Sequence, residues 1–286
     1  MKNHISLFIF AIALLSGPVS ANDLSMTAVK DTLASIPGEH NYIYVRTPLG
    51  EDEEKNYDEI TFYDGLGREL DFAQSYGADR AGAIMAHHHL IEYDSLGRKE
   101  KQWLSTNTSF SYMSPEDLKG GVLWDYHDAG KRSYLQTNYE SSPLNRITEQ
   151  YGVGDAWGDH PARMEYLTNI PADSLRCSFY FIDDNDSLIR RGDYRSGELQ
   201  VTKATDEDGK PTYTFVDKQG RTLLTRLGRG NQQADTYFVF DRFGRIRYVL
   251  PPMINDEISA GNLDLYAYQY LYDSFGRCIS TVSYTH

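Results

Sequence analysis

A six-residue unit, Tyr-Asp-x-x-Gly-Arg, constrains this chain more than anything else in its sequence. Complete copies stand at Tyr63-Asp64-Gly65-Leu66-Gly67-Arg68, Tyr93-Asp94-Ser95-Leu96-Gly97-Arg98 and Tyr272-Asp273-Ser274-Phe275-Gly276-Arg277. Phe240-Asp241-Arg242-Phe243-Gly244-Arg245 and Val216-Asp217-Lys218-Gln219-Gly220-Arg221 lack only the opening Tyr. Tyr126-His127-Asp128-Ala129-Gly130-Lys131 and Thr205-Asp206-Glu207-Asp208-Gly209-Lys210 keep the spacing with weaker chemistry. Such recurrence marks a repeat architecture. The chemistry of the unit is that of a tight β-hairpin. Asp accepts backbone N–H groups as the chain turns, two tolerant residues follow in a type I turn, and Gly takes the left-handed conformation that opens a bulge. A side chain at that Gly would be strained. Arg at the hairpin mouth is placed to pair with the Asp or to lie over an aromatic ring. Turn chemistry is a sufficient account of each Asp and Arg.

The flanks carry strand patterns. Glu59 to Tyr63 enters one turn and Arg68 to Phe72 leaves it with apolar residues at alternate positions; Thr212 to Val216 and Arg221 to Thr225 do the same around another. The expectation is an all-β fold, an antiparallel hairpin array forming a long twisted or curved sheet. The repeat domain spans 41–286, with a sub-boundary near 152–160, after a weak helix candidate between Asn22 and Gly38. Irregular spacing between copies argues against a solenoid with one fixed rung and for a wound sheet with variable loops. Lys2, the apolar run Ile5 to Leu15, Gly17-Pro18 and the small residues Val19-Ser20-Ala21 form a secretory leader, 1–21, too short to span a bilayer. An exported protein follows, periplasmic, at the cell surface or extracellular, with no transmembrane segment after leader cleavage. The net charge of −13 disfavours a nucleic-acid partner. Glu51 to Lys55 fits a solvated acidic loop. The two cysteines, Cys177 and Cys278, are permitted a disulfide in an oxidising compartment, or serve as small apolar residues.

Taken together, these hairpins in an exported chain resemble the Rhs/YD-repeat family, and longer stretches resemble the N-terminal region of one of its large secreted bacterial branches. The stretches are Thr61 to Arg68, Tyr139-Glu140-Ser141-Ser142-Pro143-Leu144-Asn145-Arg146 running into Glu149-Gln150-Tyr151-Gly152, Glu165 to Asn169, Thr205 to Gly209, and Tyr248 to Pro252. The resemblance implies hairpin arrays wound into a spiralling sheet that closes as a hollow shell around a C-terminal polypeptide, often a toxin. This sequence stops at His286, where such proteins continue. The expectation is a truncated or stand-alone shell segment, without the cargo or the self-cleavage that releases it.

Other candidate sites are sparse. His87-His88-His89 invites a metal, but alternate residues of a strand point to opposite faces, so only His87 and His89 would share a ligand set, and zinc needs three or four ligands. Asp183, Asp184 and Asp186 resemble part of a calcium loop whose later Gly and Glu are missing. No metal, cofactor or catalytic set is expected, and the chain is not expected to be an enzyme. Trp103, Trp124 and Trp157 would stack on sugar rings if exposed, and pack between strands if not. The functional expectation is a non-catalytic structural or interaction protein. Its partners would be other Rhs/YD-repeat β segments, meeting at an exposed edge strand in the arm Leu265 to Tyr272. The alternatives are a surface carbohydrate-binding module, with cell-surface glycans as partners, and the relic of a disrupted gene.

Overall fold

The computed structural model describes residues 26–48, 56–78, 83–127, 130–228, 233–254 and 258–283. The leader at 1–21 and the acidic stretch 51–55 lie outside them. The fold is all-β and antiparallel, and the chain divides into two units, Met1–Asp159 and His160–His286. Among the described residues, no helix is long and apolar enough to cross a membrane.

The first unit holds strands β1 (Asn41–Pro48), β2 (Asn56–Tyr63), β3 (Glu69–Ala78), β4 (Ile84–Tyr93), β5 (Lys99–Trp103), β6 (Thr106–Ser109), β7 (Tyr134–Tyr139) and β8 (Ile147–Tyr151). They are ordered β1-β2-β3-β4-β5-β7-β8, with β6 also paired to β4. Alternation makes the core. In β2, Ile60 and Phe62 face inward; in β4, Ile84, Ala86, His88 and Leu90 do. Helix α1 (Met26–Ser35) adds Val29 to this core. It falls within the sequence's one helix candidate, but it has company: α2 (Pro115–Asp125) sits between β6 and β7. Ser114 caps α2 by accepting from the Asp117 N–H at 3.1 Å, Pro115 opens it, and Glu116 and Asp117 face the positive end of its dipole. This corrects the repeat reading at Tyr126, which is the C-cap of α2 and not the start of a hairpin; Asp128 and Ala129 lie outside the described residues.

The second unit orders β9 (Ala162–Thr168), β12 (Gln200–Thr205), β13 (Pro211–Val216), β14 (Thr222–Leu227), β15 (Ala234–Phe240), β16 (Ile246–Leu250), β17 (Tyr268–Tyr272) and β18 (Cys278–Ser283) in that sequence. A separate hairpin, β10 (Ser178–Ile182) and β11 (Leu188–Asp193), branches off between β9 and β12. Its Tyr180 packs edge-on against Tyr237, with ring centroids 4.8 Å apart, over a core that includes Phe215, Leu224, Val239 and Leu250. Residues Leu265 and Tyr266 end a third helix, α3 (Ala260–Tyr266), and β17 is paired on both sides. The expected edge arm is therefore misplaced: at this end of the sheet, among the described residues, the edge strand is β18, which pairs β17 alone. Cys177 is buried, Cys278 is exposed, and neither forms a disulfide.

Candidate functional site

The motif turns are built alike. Asp64 Oδ1 accepts from the N–H groups of Leu66 and Arg68 at 2.8 and 2.9 Å, and Oδ2 accepts from Arg68 Nε at 2.7 Å. Asp94, Asp217, Asp241 and Asp273 repeat all three contacts. Gly67, Gly97, Gly220, Gly244 and Gly276 all take φ between +76° and +81°, where a Cβ is strained. Burial pulls the carboxyls of Asp64, Asp94, Asp217 and Asp241 up, but the backbone N–H and guanidinium of each Arg outweigh it and leave them below the usual range.

Two further turns of this kind carry no Gly and so escape a motif search. Asp183 accepts from the N–H groups of Asn185 and Ser187, with Asp186 at φ 64° in the place of Gly; the acidic trio is a hairpin turn between β10 and β11. Between β7 and β8, Glu140 replaces Asp, Asn145 takes φ 54°, and Arg146 forks onto Glu140 at 2.8 and 2.7 Å. Arg146, with help from Ser142, holds the Glu140 carboxyl down to about 2.

What the sequence did not show is where each Arg goes next. Its guanidinium lies over the aromatic ring that opens the following hairpin: Arg68 over Tyr93 at 4.5 Å, Arg98 over Tyr139 at 4.7 Å, Arg221 over Phe240 at 5.0 Å and Arg245 over Tyr272 at 4.7 Å. The Tyr hydroxyl completes the joint by donating to the carbonyl just after that Arg. Tyr93 reaches Glu69 at 2.7 Å, Tyr139 reaches Lys99 at 3.0 Å and Tyr272 reaches Ile246 at 2.8 Å. Arg98 Nη1 also donates to the Glu140 carbonyl at 2.9 Å. Strand register explains the recurrence. Asp71 pairs with Leu90, Leu224 with Tyr237 and Tyr248 with Gln269, and continuing each ladder towards the turn puts the Arg directly across from the aromatic. The motif is thus both a turn and a fastener between neighbouring hairpins.

Two predictions test the joints. In a double-mutant cycle, Arg98→Ala and Tyr139→Ala should couple by about 1 kcal/mol, the range for a partly desolvated cation–π pair; urea midpoints of the four proteins measure it, and additive losses would contradict the joint. Gly97→Ala should cost more than Gly67→Ala. Both pay roughly 1–2 kcal/mol for a left-handed Ala, but a Cβ at Gly97 would also stand 3.0 Å from Arg68 Nη1, whereas nothing lies within 4 Å of one at Gly67. Equal losses would show that Arg68 does not press on the next turn.

The depressed carboxyls set a pH dependence. A carboxylate lowered by folding stabilises the native state above its ordinary value, 3.8 for Asp, and that stabilisation is lost as pH falls through the depressed value, down to about 2 for Glu140. Far-UV circular dichroism should show unfolding that begins near the ordinary carboxylate range and continues towards pH 2. The Glu140→Gln variant should lose the lowest-pH part of that profile.

The remaining candidates are dispersed. In β4, His88 is the engaged histidine. It is buried, Nε2 donates to the Ser109 carbonyl at 2.9 Å, and Nδ1 shares a proton with Asp71 Oδ2 at 2.6 Å. His87 stacks on Tyr76 and His89 tilts against Phe72. Among the described residues, no three His, Cys, Asp or Glu side chains are grouped to hold a metal. The three tryptophans share no platform: Trp103 is partly buried, donates to Glu92 at 2.9 Å and packs on Tyr134, while Trp124 is 83% exposed and Trp157 leans on Gly152. A cleft of about 260 Å³ runs beneath β10, lined by Phe179, Tyr194, Arg221, Phe238, Phe240 and Arg242 among others.

Residues 41–168 match the family model described as a domain of unknown function, DUF6443, which covers the first unit's strands and the start of the second unit. No curated protein matches the chain. The crystal structure of TcdB2-TccC3-Cdc42 is similar at 15% identity and TM-score 0.48, over 85% of this chain and 12% of that one. The crystal structure of TcdB2-TccC3 is similar at 14% identity and TM-score 0.47, with the same coverage. The chain therefore spans about an eighth of the length of the solved chains it matches, and its match to the DUF6443 model is confined to residues 41–168.

Proposed function

We propose that this chain is a non-catalytic, exported structural protein of the Rhs/YD-repeat kind, a wall of interlocked hairpins that works by associating with other β surfaces. The observation that carries this is the joint. Each of four motif arginines is consumed twice, by its own turn Asp and by the next hairpin's ring, which stiffens a sheet and leaves those groups no part in proton transfer or nucleophilic attack. The buried His88–Asp71 pair resembles the base and orienting acid of a hydrolase, but Nε2 is spent on a backbone carbonyl and both residues are sealed from solvent. The leader at 1–21 supports export.

Size-exclusion chromatography with light scattering, on the chain alone and mixed with other hairpin-repeat fragments, tests the proposal. Association is expected, and a strictly monomeric, protease-resistant protein indifferent to every fragment would overturn it. One observation favours a second reading, a surface glycan-binding module: the Trp124 ring stands almost fully in solvent beside Leu123 and His127. A glycan array with signals abolished by Trp124→Ala would favour that module; silence would remove it.

A further inference from the structure

We infer that the β17–β18 hairpin presents an open copy of the joint, and that it takes the first strand of a further Tyr-Asp-x-x-Gly-Arg hairpin. The inference rests on the proposed structural role and names its surface and partner.

In the four filled joints the Arg side chains keep 32, 16, 33 and 27% of their surface exposed. Arg277 keeps 76%. It is nonetheless aimed as the others are: its N–H and Nε reach the two Asp273 oxygens at 2.8 and 2.7 Å. Holding a long side chain in its bound geometry beforehand lowers the entropy cost of docking. Beside it, β18 pairs with β17 alone among the described residues, and Ile279, two positions along, is 65% exposed. An unpaired strand edge with a guanidinium at one end and an apolar residue next to it matches the half of the joint that Arg68, Arg98, Arg221 and Arg245 supply.

The internal copies specify the other half. It is an antiparallel strand that ends, opposite Arg277, in Tyr or Phe and then turns. A Tyr there would donate to the Cys278 carbonyl, which follows Arg277 as the Glu69, Lys99 and Ile246 carbonyls follow their arginines. A second folded copy does not fit. Its strands that end in a motif aromatic, β2, β4, β15 and β17, are paired on both edges, and so is β7. Two β18 strands laid antiparallel would put Arg277 of one near Ser283 of the other, away from any ring. The partner is a hairpin of the same motif whose first strand is free.

The test uses a fluorescein-labelled synthetic peptide of residues 268–283, whose first strand ends in Tyr272, titrated with the full chain and followed by anisotropy. Saturable binding is expected. It should weaken about tenfold or more when the chain carries Arg277→Ala or the peptide carries Tyr272→Ala, the combined size of a cation–π contact and one hydrogen bond. Arg277→Lys, which keeps the charge but not the planar guanidinium, should fall between. Because Arg277 is exposed and its pair with Asp273 is an exposed one, its variants should lower stability by less than about 1 kcal/mol by urea midpoint. Binding indifferent to both alanine variants overturns the inference. So does absence of peptide binding in a chain that still associates with other hairpin-repeat fragments, a result that leaves the structural role standing. Absence of all association overturns both.

Discussion

Arg226→Met is expected to lower the stability of the chain by about 3–5 kcal/mol, the combined cost of leaving a partly buried carboxylate and two backbone carbonyls without their donor. Arg226 is 1% exposed. Its Nε and Nη2 fork onto Asp235 at 2.7 and 2.5 Å, and Nη1 donates to the Ser174 and Arg176 carbonyls, both at 2.8 Å. Its guanidinium also lies 5.6 Å from the Phe215 ring. One side chain therefore ties β14 to β15 and fastens the segment leading into β10. Met fills similar space but leaves a carboxylate and two carbonyls without their donor. A shift of roughly 10 °C in the melting temperature would correspond to such a loss in a domain of this size. Arg226→Met with Asp235→Leu should recover part of the loss, because the isolated charge is then gone. A single-variant loss below about 1 kcal/mol would show that the segment at 174–176 is held by packing alone.

His88→Leu should be of similar size in the first unit, about 3–5 kcal/mol, for the same reason. Leu suits the apolar neighbours on the inward face of β4, yet it strands Asp71, which is 2% exposed and whose Oδ1 has no hydrogen-bond partner even with His88 present. It also removes the donor to Ser109, which pins β6 to β4. The double variant Asp71→Leu, His88→Leu separates the two causes. Recovery by more than half would assign the loss to the stranded carboxyl; no recovery would assign it to the β4–β6 tie. His87→Leu and His89→Leu, on the opposite face, should each change stability by less than about 1 kcal/mol. A loss at either equal to that at His88 would overturn this assignment.

Much of the fold was legible because its unit is local. The turn contacts of Asp64, Asp94, Asp217, Asp241 and Asp273 join residues two and four apart, so residue type and spacing suffice to foresee them. The same reliance on spacing misled at Tyr126, where Ser114-Pro115-Glu116-Asp117 is a helix start that outweighs a weak turn pattern further on. It also missed the turn at Asp183, because Asp186 adopts the left-handed conformation usually left to Gly. The fork from Arg247 onto both Asp186 oxygens, at 2.5 and 2.6 Å, helps hold it there.

By itself, then, the sequence determined the all-β hairpin chemistry: which residues turn, which flank them as strands, and which carboxylates sit on backbone N–H groups. Only the tertiary structure decided what lies across each strand. That Arg98 meets Tyr139, that His88 rather than its neighbours is buried, and that Arg277 alone among the five motif arginines is left mostly in solvent are consequences of register and sheet order. Those pairings join residues 17 to 61 positions apart, from His88–Asp71 to Arg247–Asp186. Over such separations a period-two pattern states that two residues share a face, but not which face is covered, nor by what.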